Sequence, residues 1–150
     1  MDASSAQRFR ASRVDDRGGP VHERVVDGPG FPCRHCLALG KPGETMLLAS
    51  WDLPLPQGPY WAPSPIFVHA DGCPHNVLHD SLPETVTVNA LVSLRHYDAA
   101  GMVLYDLGVV VAGEAAEAAL RARLADPRVA YVNIHTARPG CWLARVEKEA

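Results

Sequence analysis

An α+β domain built mainly from antiparallel strands is the fold class this sequence predicts, on three observations. The apolar, β-branched runs Leu91–Tyr97 and Met102–Val111 are joined by Asp98-Ala-Ala-Gly101, where a glycine suits the left-handed turn of a short hairpin. A second pair of runs, Val129–His135 and Cys141–Val146, flanks Thr136-Ala-Arg-Pro-Gly140. Between these pairs one stretch, residues 113–125, has helical spacing. Parallel strands need a crossover of a dozen or more residues, so strands joined this tightly run antiparallel.

Taken in order, residues 1–20 are polar and charged, end in Gly-Gly-Pro, and read as a flexible N-terminal arm preceding a single globular domain over residues 21–150. Val21–Val26 is the first strand expected. Turn residues, Asp27-Gly-Pro-Gly30 and Leu39-Gly-Lys-Pro-Gly43, bracket residues 33–36 and place them on a short, tightly turned loop. Glu44–Trp51 and Ile66–Val68 read as strands. Pro54, Pro56, Pro59, Pro63 and Pro65 exclude regular structure between them and leave an extended connector. Trp51, Tyr60 and Trp61 beside those prolines are expected to pin the connector to the core, weighed against an aromatic surface for a peptide or small molecule. A short helical turn is expected after Asp80-Ser-Leu-Pro83. In residues 113–125, Ala116, Ala119, Leu120 and Leu124 share one side, Glu117 precedes Arg121 by four, and Asp126-Pro127 ends the run. In the last hairpin Val132 and Ile134 face the core with Trp142, Ala144 and Val146, a register that puts His135 opposite Cys141.

With 150 residues and 47% hydrophobic content the chain suffices for one core. A net charge of -3 supplies no basic field, which argues against nucleic acid, and no apolar run approaches the ~20 residues a bilayer requires. A cytoplasmic, non-membrane protein is expected, in which the four cysteines serve as thiols or metal ligands rather than a disulfide framework.

The chemistry centres on Cys33-Arg34-His35-Cys36. Two sulfurs three residues apart converge on one tetrahedral ion, and a zinc site needs two further ligands. Cys73, inside His69-Ala-Asp-Gly-Cys73-Pro-His75, is the third candidate, and Cys141, His75 or His69 the fourth. The competing reading is redox: Cys33 and Cys36 would be catalytic, with His35 and Arg34 favouring a thiolate. Thioredoxin-like centres open a helix, for which Leu37-Ala-Leu-Gly-Lys-Pro leaves no room, so an ordinary thiol pKa is expected here. Motifs of hydrolases and phosphate-binding loops are missing from the sequence. Arg95, Tyr97, Asn133 and His135, alternating on two strands, are candidates for a ligand pocket, weighed against the ordinary solvated face of a sheet.

The chain resembles a bacterial family filed as domain of unknown function 1203. The resemblance rests on Gly30-Phe-Pro-Cys-Arg-His-Cys-Leu37, Ser64-Pro-Ile-Phe-Val-His-Ala70 with Cys73 after it, Leu94-Arg-His-Tyr-Asp98, and Asp126-Pro-Arg-Val-Ala-Tyr131 leading to Gly140-Cys141. It implies a single small bacterial domain and brings no activity, substrate or cofactor. One departure is that the family runs from its cysteine into an Arg-Tyr pair, where this chain has Pro74-His75-Asn76. Together these readings favour a non-enzymatic binding or zinc-stabilised module centred on the Cys33–Cys36 loop, acting on a protein or small molecule. A thiol-dependent enzyme or sensor is the alternative.

Overall fold

The computed structural model describes residues 1–148, which divide into two compact units. The first comprises Met1–Asp52 and Pro63–Thr85; the second comprises Leu53–Ala62 and the chain from Val86 onward.

The first unit holds helix α1 (Ala3–Ser12) and strands β1 (His22–Val25), β2 (Thr45–Trp51) and β3 (Ser64–His69). The strands form an antiparallel sheet in the order β1-β2-β3, with Met46 opposite His69 and Leu48 opposite Phe67. Met46, Leu47, Ala49, Trp51, Ile66 and Val68 form its core. α1 corrects the expectation of a loose arm over residues 1–20. Asp2 caps the helix, its carboxylate accepting from the Ser5 backbone N–H at 2.7 Å, and Ala6 and Phe9 are wholly buried. Composition hid this helix because two apolar side chains one turn apart are enough to bury a short helix against a sheet, though not enough to show a periodic pattern.

Helix α2 (Glu84–Thr87) follows Pro83, as expected, where the chain passes into the second unit. That unit contains β4 (Val92–Tyr97), β5 (Val109–Val111), helix α3 (Ala116–Leu124), β6 (Tyr131–Thr136) and β7 (Trp142–Glu147). Its sheet runs β5-β4-β6-β7, all antiparallel, so the two expected hairpins join through β4 and β6. The strand expected over 102–111 is shorter. After the turn at Gly101 (φ +80°) it bridges only at Val103, breaks into a 3-10 turn at Tyr105–Leu107, and resumes as β5. α3 begins after a 3-10 turn at Gly113–Ala115 and carries the expected Glu117–Arg121 ion pair, at 2.7 Å.

The β6–β7 register also differs from expectation. A bulge at Ile134/His135 sets Ile134 against Ala144 but His135 against Trp142, not Cys141. The extra residue moves Trp142 away from the Val132–Ile134 side, and its indole N–H donates to Asn133 Oδ1 at 3.2 Å. The proline connector is tied within this unit: the Trp61 indole donates to Leu53 O at 2.9 Å, and the Tyr60 and Tyr105 hydroxyls meet at 2.6 Å. No helix among the described residues is long and apolar enough to cross a membrane.

Candidate metal centre

Residues 31–40 fold into a tight knuckle because their turn residues allow the chain to reverse twice within ten positions. The Gly40 N–H donates to Phe31 O at 2.8 Å, Cys33 N–H to Ala38 O at 2.9 Å, and Leu37 N–H to Cys33 O at 3.1 Å. Leu37 takes φ +61°, a left-handed conformation that L-residues visit only under such closure. The knuckle is hooked onto β3 by Arg34 N–H donating to Phe67 O at 2.9 Å. Gly40 seats its far end on β2, since a Cβ there would lie 2.8 Å from Val26 Cγ2 and 3.1 Å from Met46 Sδ. Cys33 and Cys36 therefore stand beside the end of β3, whose last residue is His69. A turn through Gly72 (φ +94°) then brings Cys73 back to them.

Cys33, Cys36, His69 and Cys73 each offer one ligand atom, and all four atoms lie within 4.8 Å of one another. Cys33 Sγ is 3.7 Å from Cys73 Sγ, and Cys36 Sγ is 3.5 Å from His69 Nδ1. A tetrahedral ion with bonds of about 2.3 Å to sulfur and 2.05 Å to nitrogen needs sulfur–sulfur edges of about 3.8 Å and sulfur–nitrogen edges of about 3.6 Å. Two edges of that tetrahedron already stand at these lengths. The donor set, three soft sulfurs and an imidazole, suits zinc.

The surroundings fit the same ion. With Nδ1 turned to the cluster, His69 points Nε2 at Glu44 Oε2, 3.3 Å away, the carboxylate–histidine pairing that fixes the tautomer of a metal ligand. Arg10 of α1 donates to Cys73 Sγ at 3.3 Å and to the His69 carbonyl at 2.9 Å. Three thiolates around a divalent ion would leave one negative charge in excess, which the Arg10 guanidinium is placed to offset. His35, buried, places Nδ1 3.3 Å from Cys73 Sγ.

The electrostatics of the cluster are those of crowded thiols. Burial pushes the Cys33 thiol up, but the backbone N–H groups of Cys36, His35 and His69 converge on it and bring its pKa down to about 7. The expectation of an ordinary pKa, drawn from the missing helix N-terminus, is corrected: N–H groups of the knuckle and of β3 act on the thiol as a helix end would. Cys36 is pushed up to about 12, by burial first and then by the neighbouring Cys33 charge, and Cys73 is raised by the same two causes. Sulfurs this close cannot all ionise alone, and a divalent ion removes that conflict.

Of the three alternatives for the fourth ligand, the four-residue set contains His69. His75 is exposed and lies beside His35, the rings tilted with centroids 5.3 Å apart. Cys141 belongs to the second unit, just before β7, where its N–H donates to Thr136 Oγ1 at 2.9 Å. Arg34 is buried and turns its guanidinium back to Pro32 O at 2.7 Å. The β4–β6 register sets Arg95 opposite Asn133, Ser93 opposite His135 and Tyr97 opposite Tyr131, so Arg95, Tyr97, Asn133 and His135 share one face. Arg95 is exposed and the other three are buried. The Tyr97 and Tyr131 rings stack at 4.9 Å, with the Arg145 guanidinium 4.3 Å from the Tyr131 ring centre. Sequence reasoning missed Arg10 and Glu44. The first was hidden in a segment read as a flexible arm; its available signal was the Asp2 cap with Ser5 three residues on. Glu44 was read only as the start of a strand.

Fold and site together define a small α+β protein carrying a cluster of three cysteines and one histidine. The chain belongs to the family described as protein of unknown function (DUF1203), whose model matches residues 30–148. No curated protein and no solved structure matches the chain.

Proposed function

We propose that this protein is a zinc-stabilised, non-enzymatic module of the bacterial cytosol, with Cys33, Cys36, His69 and Cys73 as the four ligands and a protein or small molecule as its partner. The observation that carries the reading is the spacing of the four ligand atoms, which need about 1 Å of contraction at most to close on a tetrahedral ion. A set of four protein ligands leaves no open coordination position for a substrate, which is the mark of a structural rather than a catalytic zinc. The absence of a basic field weighs against nucleic acid as the partner.

The thiol-redox reading of Cys33 and Cys36 has the lowered Cys33 pKa in its favour. Against it, Cys33 has no exposed surface and Cys36 only 9%, whereas a working redox cysteine must be reached by its substrate. The test is elemental analysis of the full chain purified without a histidine tag. About one equivalent of zinc is expected, and chelation should lower the melting temperature, because the energy of binding such a site is folding energy. Metal-free protein whose melt does not respond to added zinc would overturn the reading.

A further inference from the structure

We propose that the cluster is also a peroxide-sensitive switch, in which Cys73 takes the oxidant and Cys33 then closes on it, expelling the ion. This rests on the metal reading above. Cys33 and Cys36 are buried, whereas Cys73 is partly exposed, so an oxidant arriving from solvent meets Cys73 first. Two nitrogens already face that sulfur, each at 3.3 Å: the Arg10 guanidinium, which donates, and His35 Nδ1, a donor in the tautomer that carries its proton there. Donors so placed hold a thiolate and steady the hydroxide that leaves when a peroxide bond breaks. Cys33 Sγ lies 3.7 Å from Cys73 Sγ, within reach of an oxidised sulfur there, while Cys36, which also neighbours Cys73, has His69 Nδ1 beside it at 3.5 Å.

The chemistry balances with hydrogen peroxide as the oxidant. The Cys73 thiolate attacks one peroxide oxygen, the O–O bond breaks, and a sulfenic acid and hydroxide form. The Cys33 thiolate then attacks the Cys73 sulfur, the S–O bond breaks, and a Cys33–Cys73 disulfide and a second hydroxide form. The two sulfurs give up two electrons, the peroxide takes them, and both hydroxides are neutralised to water by protons from the buffer. The ion keeps only Cys36 and His69 and is lost to solvent, and a dithiol reductant with added zinc restores the site.

The experiment treats the full chain with hydrogen peroxide, follows released zinc with a chromophoric chelator, and maps disulfides by mass spectrometry of non-reduced peptides. Expected are loss of the single zinc equivalent, a Cys33–Cys73 linkage, and recovery of both with dithiothreitol and zinc. Arg10→Gln should slow release about tenfold, the loss of one hydrogen bond to a charged group. Zinc retained under excess peroxide, or released with a Cys33–Cys36 linkage, overturns the switch while leaving the metal reading intact, and release from Arg10→Gln at the unmodified rate overturns the role given to Arg10. If the untreated chain holds no zinc and takes none up, the metal reading fails and the switch with it. Disulfide mapping of that metal-free chain then decides whether Cys73 and Cys33 still form an oxidant-responsive pair.

Discussion

Glu44 touches the centre only through His69. Its carboxylate holds the Nε2 proton and thereby points Nδ1 at the sulfurs. Glu44→Ala should weaken zinc binding by about 10- to 100-fold in competition with a chelator, the usual cost of losing such a carboxylate. Unchanged affinity would mean that His69 is not held in this way. A second residue, His135, titrates against the fold. Burial lowers its pKa, the Gly140 carbonyl that accepts its Nδ1 proton at 2.9 Å pulls the other way, and the Arg95 charge lowers it further, leaving it at about 4. An unfolded histidine titrates near 6.5, so between the two values the unfolded chain binds more protons than the folded one. Stability is therefore complete above pH 6.5 and is lost as the pH falls toward 4. Between pH 7 and 4.5 this amounts to roughly 2 to 3 kcal/mol, read as the difference between the chain and a His135→Gln variant in urea unfolding. Equal pH dependence in the two proteins would show that His135 is not buried as a neutral ring.

Elements in this chain start and stop where backbone leaves no alternative. Gly113 opens the turn into α3 against the segment following α2: its N–H donates to Asn89 O at 2.9 Å, and a Cβ there would stand 2.5 Å from that oxygen, 2.6 Å from Val86 O and 2.7 Å from Thr87 O. Three backbone carbonyls cannot step aside as a flexible side chain would. Gly113→Ala should destabilise the protein by about 3 kcal/mol, the upper end for overpacking, measured as a lower urea midpoint at unchanged slope. A neutral result would mean that the α2–α3 approach is looser than described. Strand β5 and the β6–β7 bulge teach the complementary lesson. Apolar runs foretold both hairpins, but where a run leaves its ladder or doubles a residue depends on what packs above it, and periodicity carries no record of that.

At the scale of the molecule, the four clustered side chains come from the knuckle and from the end of β3 with the turn after it, Cys36 and His69 being 33 residues apart, and all belong to the first unit. One ion would close that long loop and, through Arg10, hold α1 as well. Chelation should therefore expose amides in the knuckle, the turn from His69 to Cys73 and α1 before those of β4 and β6, as read by hydrogen exchange. Loss of protection that begins in β4 and β6 instead would separate the cluster from the stability of its own unit.

Local chemistry, read from the sequence alone, determined a good deal. Alternating apolar runs and a glycine turn specify hairpins, spaced alanines and leucines specify α3, and the Cys-x-x-Cys spacing specifies two converging sulfurs, because each depends on neighbours within a few positions. The third sulfur was legible too, as a cysteine in a histidine-rich turn. What only the tertiary structure decided was the choice among His69, His75 and Cys141, the partnership of Glu44 and Arg10, and the existence of α1. Each depends on how β2 and β3 pair and on where a short helix finds a buried face, distances set by packing between residues far apart in the chain, which no local pattern encodes.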